Sequence, residues 1–121
     1  MNPVRYGIYL ASLDPALGRE IAKTRPVVIV SLDAMNAFAG TVVVCPLTTS
    51  LHPTWRSRLP VRCAGKPAEV AVDQIRTIST LRLTRRIDVL SADRAARLRE
   101  LIVEMYGLPQ SGGRSHSGRT P

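Results

Sequence analysis

Through most of the chain, apolar and polar residues alternate with the two-residue period of strands rather than the 3.6-residue period of a helix. Tyr6 to Leu13 reads as a first short strand, stopped by the turn signal Asp14-Pro15. Ala16 to Thr24 is mixed and polar and predicts an exposed loop. Pro26 to Val30 is β-branched apart from its proline, as expected of a strand buried on both faces, and Thr41 to Cys45 is similar. Between these two, Asp33 to Phe38 has room for one helical turn, ended by Gly40. Arg58 to Cys63 alternates with its basic residues outward, Val70 and Val72 continue the alternation, and Ile75 to Ile78 follows. Ser50 to Ser57, which holds His52, Pro53 and Trp55, has no periodicity and reads as a loop.

The period changes over residues 91–106. Ser91 is a suitable N-cap, and Asp93 lies in the first turn, where the helix dipole favours an acid. Ala95, Leu98, Leu101, Ile102 and Met105 then share one helical face, packed on the β core or at a dimer seam. Gly107 and Pro109 end the helix. The pattern predicts one domain over residues 1–109. The Gly-, Ser- and Arg-rich remainder, 110–121, is expected to be a disordered tail.

Composition narrows the partners. The chain has 121 residues, enough for a modest core, and only 4% aromatics, so Val, Leu, Ile and Ala must build that core. Its 17 Lys and Arg against 9 Asp and Glu give +8, which favours a polyanionic partner through long-range attraction. No run approaches the roughly 20 apolar residues of a membrane span, and the start of the chain predicts no secretory signal. Cys45 and Cys63 then read as reduced, small core residues of a cytoplasmic protein. His52 and His116 lack metal-site spacing relative to them, so neither a metal nor another cofactor is expected.

The candidate chemistry lies in the first half. A buried strand begins after the lone Arg25, and a second one runs into Pro46-Leu47-Thr48-Thr49. That places a fixed positive charge and hydroxyl donors at the rim of a β core, where a phosphate fits. The planar fork of Arg25 can hold two phosphate oxygens at once, and Thr48 can add a hydroxyl donor.

These segments resemble the MazF/PemK family of toxin endoribonucleases over about residues 6–106. The matching text is Gly7-Ile8-Tyr9, Leu13-Asp14-Pro15, Gly18-Arg19-Glu20, Thr24 to Ser31, Pro46-Leu47-Thr48-Thr49 and Asp73-Gln74-Ile75-Arg76-Thr77-Ile78, in order and in spacing. The resemblance implies a mainly β fold, a small SH3-like barrel with a C-terminal helix. It implies a homodimeric toxin of a type II toxin–antitoxin system that cleaves single-stranded RNA sequence-selectively and without metal. Attack by the substrate's 2′-OH would leave a 2′,3′-cyclic phosphate and a 5′-OH. It also implies a cognate antitoxin whose acidic or extended tail covers the RNA groove.

The resemblance puts catalysis on Arg25 and Thr48, with Asp73 the natural acceptor of the 2′-OH proton. Because Arg is effectively always protonated, Arg25 is read as stabilising charge. Two positions depart from the subgroup that relies on the acid: Ala71 stands where an Arg is found, and Arg19 where a His is found. The loops Asp14–Lys23 and Ser50–Ser57 would wall the groove, with Arg19, Glu20, Thr49, Ser50, Trp55, Arg56 and Gln74 as the RNA-binding set. Trp55 would stack a base, Gln74 would read a base edge, and Arg56, Arg58 and Lys66 would track phosphates. Structural alternatives stand beside these roles: Asp73 paired with Arg76 or Arg62, Arg25 paired with Glu20, and Trp55 anchoring its loop. Two rival functions share the barrel, a basic protein that only binds RNA or antitoxin and a gyrase-binding toxin of the CcdB type. The second needs an ending like Trp-Gly-Ile, whereas this chain ends Gly118-Arg119-Thr120-Pro121.

Overall fold

A computed structural model describes residues 2–15, 17–107 and 109; the tail expected over 110–121 lies outside them. Seven strands form one antiparallel sheet: β1 (Gly7–Ser12), β2 (Thr24–Ile29), β3 (Thr41–Thr48), β4 (Arg58–Cys63), β5 (Lys66–Ala71), β6 (Arg76–Ser79) and β7 (Leu83–Val89). A short helix α1 (Asp33–Asn36) joins β2 to β3, and α2 (Ala92–Tyr106) closes the fold. The sheet runs β4-β5-β3-β2-β1-β7, with β6 also on β3. Strand β3 bends this sheet into a half-barrel. One of its edges carries β6 over Thr41–Val44 and then β5 over Leu47–Thr48. Pro46, which has no N–H to donate, falls at the changeover.

The bent sheet has apolar cores on both faces, which explains the unbroken Val-rich run of β2. Val28 and Val30 enter one core with Ile8, Cys45, Leu47, Val70, Leu98 and Leu101. Val27 and Ile29 enter the other with Tyr9, Leu13, Val44, Ile78 and Leu83. Helix α2 covers the first core. Ser91 caps it, accepting the Arg94 N–H at 3.2 Å, and Ala95, Leu98 and Leu101 are buried. The helical stripe ends sooner than its spacing predicts, because Ile102 is half-buried and Met105 is exposed on the last turn. That turn is held by the Tyr106 hydroxyl, which donates to the Val72 carbonyl at 2.8 Å.

One strand reading changes, and one strand was not expected. β2 starts at Thr24, so Arg25 belongs to the exposed end of the strand and does not precede it. β7 has no clean alternation, since Thr84, Arg85 and Arg86 are all exposed, and only its pairing with β1 defines it. Charged residues suit such an edge, where they discourage pairing with another chain. The hairpin β4–β5 closes through Ala64 and Gly65, both at positive φ, with Cys63 opposite Lys66. That is the two-residue turn whose twist matches its strands. Cys45 and Cys63 are both free and buried. No helix among the described residues is long and apolar enough to cross a membrane.

Candidate active site

Strands β2 and β3 bring the first two candidates together. Their register pairs Val27 with Pro46, Val28 with Cys45 and Ile29 with Val44. Continued by two residues, it sets Arg25 opposite Thr48, and the two-residue period puts both on one face. Arg25 is exposed, and its Nε donates to the Ala22 carbonyl at 3.2 Å. Among the described residues no ion pair involves it. Glu20, its expected alternative partner, accepts the Leu17 N–H at 2.5 Å instead. The half-buried Thr48 accepts the Ser50 N–H on its Oγ1 at 3.0 Å, so its own hydroxyl proton is available to an incoming oxygen.

Asp73 is held differently. It sits on the single 3-10 turn Val72–Gln74 that follows β5. Its partner is Arg58, whose Nε lies 3.0 Å from Oδ1, rather than Arg76 or Arg62. Strand pairing explains the choice, because Arg58 faces Ala71 across the β4–β5 hairpin, two residues short of the acid. Arg58 also reaches Glu69 Oε1 at 3.8 Å, with the Arg58 side chain 7% exposed and that of Glu69 2%. Glu69 in turn accepts the His52 N–H at 2.8 Å. One buried cation and two carboxylates therefore fix the root of the loop after β3. The Arg58 guanidinium also lies 4.8 Å from the centre of the Trp55 ring.

Around these residues the surface is concave. A groove of about 540 Å³ is lined by Arg19, Ile21, Thr48, Ser50, His52, Trp55, Arg58, Asp73 and Gln74. A second concavity of about 380 Å³ adds Glu20 and Arg76 and shares Arg19, Ile21, Asp73 and Gln74 with the first. The two form one divided trough between the expected loop walls. Gln74 stands at the divide, where its Oε1 accepts the Ile21 N–H at 2.8 Å and its Nε2 reaches the Arg19 carbonyl at 3.5 Å. Its amide thus braces the β1–β2 loop. Thr49 is exposed just past the end of β3. Arg56 points elsewhere, toward Glu104 on α2 at 3.5 Å, with its side chain 90% exposed.

His52 lines the groove and was not among the expected site residues. Its ring stacks on Trp55 with centroids 3.9 Å apart and planes 12° apart. A His and a Trp three residues apart in a loop were the available signal. Neighbouring groups take little part in the chemistry. Burial, reinforced by Asp73, pushes the Cys45 thiol up to about 12, so it stays protonated and is no nucleophile. Burial likewise raises the Tyr106 phenol, with Cys45 and Asp73 adding to the effect. Among the described residues no three His, Cys, Asp or Glu cluster in a way that would hold a metal ion.

The arrangement offers a phosphate a fork and a hydroxyl at its rim, and offers a base a walled trough beside them. Comparison with known proteins adds to this. Residues 4–106 match the family described as PemK-like, MazF-like toxin of type II toxin–antitoxin systems. The chain is 30% identical over 95 residues to an endoribonuclease MazF of Staphylococcus epidermidis, covering 72% of this chain and 77% of that protein. A crystal structure of MazF from Deinococcus radiodurans superposes with a TM-score of 0.78 at 22% identity, over 89% of this chain and 99% of that one. An endoribonuclease in complex with its cognate antitoxin, from a mycobacterial species, gives 0.75 at 22% identity, over 89% and 98%.

Proposed function

The chain belongs to the PemK-like, MazF-like toxins of type II toxin–antitoxin systems, and we propose from that membership how its groove cuts RNA. It is a toxin endoribonuclease, and its mainly β half-barrel with a C-terminal helix is the fold of the MazF structures. Single-stranded RNA lies in the trough, with one phosphate against Arg25 and Thr48. The adjacent 2′-OH attacks the phosphorus, the bond to the 5′-oxygen of the next nucleotide breaks as that oxygen takes a proton from water in the open groove, and the products are a 2′,3′-cyclic phosphate and a 5′-OH. The Arg25 fork meets the charge that grows on the phosphoryl oxygens, and the Thr48 hydroxyl donates to one of them.

Asp73 takes the 2′-OH proton. Arg58 holds its Oδ1 and so orients the carboxylate, and among the described residues no hydrogen bond engages Oδ2. Ala71 and Arg19 leave this chain without the Arg and His that other versions of the site use, which concentrates charge stabilisation on Arg25. The residues named supply base, hydroxyl donor and charge, and water supplies the leaving-group proton, so the proposed cleavage needs no metal. Arg19, Glu20, Thr49 and Ser50 line the path of the strand.

The assembly is proposed as a cytoplasmic homodimer held in check by a cognate antitoxin, like the mycobacterial relative solved with its own. An apolar groove between α1 and α2, with Leu32, Met35, Ile102 and Val103, supplies a face for the second copy. A single observation carries the catalytic assignment: Arg25 is exposed, opposite Thr48, and paired with no carboxylate among the described residues. Incubation of a long RNA with the purified protein in EDTA, beside Arg25→Ala, tests it. Discrete cuts with cyclic-phosphate and 5′-OH ends, lost in the variant, are expected. Intact RNA with the wild-type protein would leave a binding-only barrel.

A further inference from the structure

Trp55 is the only Trp of the chain, and His52 and Arg58 both pack against its ring. His52 lies parallel to it at 3.9 Å on one face, which leaves the other to the Arg58 guanidinium at 4.8 Å. The result is a three-layer stack in the order Arg58, Trp55, His52, and all three residues line the groove that also holds Thr48 and Asp73. The stack is rigidly rooted. Arg58 is 3.0 Å from Asp73 and 3.8 Å from Glu69, and the His52 N–H is 2.8 Å from Glu69.

We propose that the outer face of His52 is the base-stacking platform of this enzyme, with Trp55 as its backing layer. An unpaired nucleobase of the RNA would extend the stack by one layer, Arg58–Trp55–His52–base, beside the phosphate clamp. Every base has a π face, so stacking itself tolerates sequence, whereas the edge of the stacked base meets the trough wall. A platform fixed at both its cationic and its backbone end loses little freedom on binding. His52 thereby becomes a positioning residue that sets which nucleotide flanks the cut. The inference rests on the ribonuclease reading above.

Trp55 itself reports the outcome, since its emission responds to what is stacked on the loop. Cut sites on a long RNA are mapped for wild type, His52→Ala and His52→Phe, with KM and kcat on an oligonucleotide carrying the wild-type cut site. His52→Ala should raise KM roughly tenfold or more with kcat little changed, the loss expected of one stacked base. It should also flatten the base preference at one position beside the cut, while His52→Phe restores KM to within about threefold. The 2′-O-methyl form of that oligonucleotide, which cannot be cut, should change Trp55 emission in the wild type and much less in His52→Ala.

Three results would overturn the proposal: a wild-type KM and preference in His52→Ala, equal losses in His52→Ala and His52→Phe, or binding of the 2′-O-methyl strand without a change in Trp55 emission. Each of these leaves the ribonuclease standing. No cleavage by the wild-type protein would remove both readings together.

Discussion

Arg25 stands at the rim of the groove and Arg58 in its wall, and the two are held in opposite ways. Arg25 is exposed and, among the described residues, tied only to the Ala22 carbonyl, so no carboxylate there neutralises its charge. The Arg58 side chain is 7% exposed, lies between Asp73 and Glu69, and carries Trp55 on its guanidinium. Both are arginines at the start of a strand beside the same trough. The first has no carboxylate partner among the described residues, and the second gives its charge to the fold. The arginine proposed to meet the phosphate is thus the one left without a carboxylate partner among the described residues.

The largest effect should come from the committed charge. Arg58→Ala leaves Glu69, 2% exposed, without its cation, and removes the brace on Asp73. Stripping one partner from a buried ion pair typically costs about 3–5 kcal/mol, so chemical denaturation should show a loss of that order. Activity should fall as well, because the loop root moves. A stability loss below about 1 kcal/mol would mean that Arg58 is as available as Arg25, and the contrast would fail.

Arg25 should behave in the reverse manner. Arg25→Ala removes the cation proposed to meet the phosphoryl oxygens, and should cost about 2.7–4 kcal/mol in transition-state stabilisation, or 100- to 1000-fold in kcat. Its melting curve should match the wild type, since no ion pair among the described residues is broken. Arg25→Lys sharpens the point. It keeps a point charge and loses the bidentate fork, so activity should fall between the two. A lysine variant with full activity would mean that charge alone, and not fork geometry, is what the rim supplies.

Gln74 tests the same contrast on a neutral group. Its amide is engaged by the β1–β2 loop, accepting from Ile21 and donating to Arg19. Gln74→Ala leaves that N–H without its acceptor, which costs about 1–3 kcal/mol where the group is buried and less at this half-buried position. If Gln74 instead reads a base, stability will hold and the mapped cut-site preference will change. Proteolysis of the loop and cut-site mapping, run together, separate the two.

Local text made half of this legible. Arg25 opens one β-branched run and Thr48 closes another, so the two strands and the rim between them follow from contiguous residues. α2 announces itself through Ser91, Asp93 and an apolar stripe of helical spacing. Arg58 and Asp73, by contrast, meet only because the hairpin at Ala64-Gly65 folds β4 onto β5. Their neighbours in sequence, Arg62 and Arg76, look equally suitable as partners for the acid. Gln74 similarly reaches a loop more than fifty residues earlier. β7 stayed hidden for another reason: as an edge strand, its character comes from the backbone of β1, while its side chains are solvated charges.

The smallest effect concerns an acid that closes the half-barrel's seam. Asp88 on β7 accepts the Ala64 N–H at 2.7 Å through Oδ2 and the Val89 N–H at 2.8 Å through Oδ1. Those two backbone donors hold its carboxyl below the usual carboxylate range. A depressed folded value means that the stabilisation is present above the unfolded pKa and fades as pH falls through the folded one. Thermal unfolding followed from pH 7 to pH 2 should therefore steepen below about pH 4. Asp88→Asn offers one oxygen where two were used, so it should lower stability at pH 7 by about 1 kcal/mol or less, given solvent screening. Its curve should converge with the wild type at low pH. Parallel curves would mean that the ordered turn at Ala64, and not the charge on Asp88, holds the β4–β5 hairpin to the edge strand.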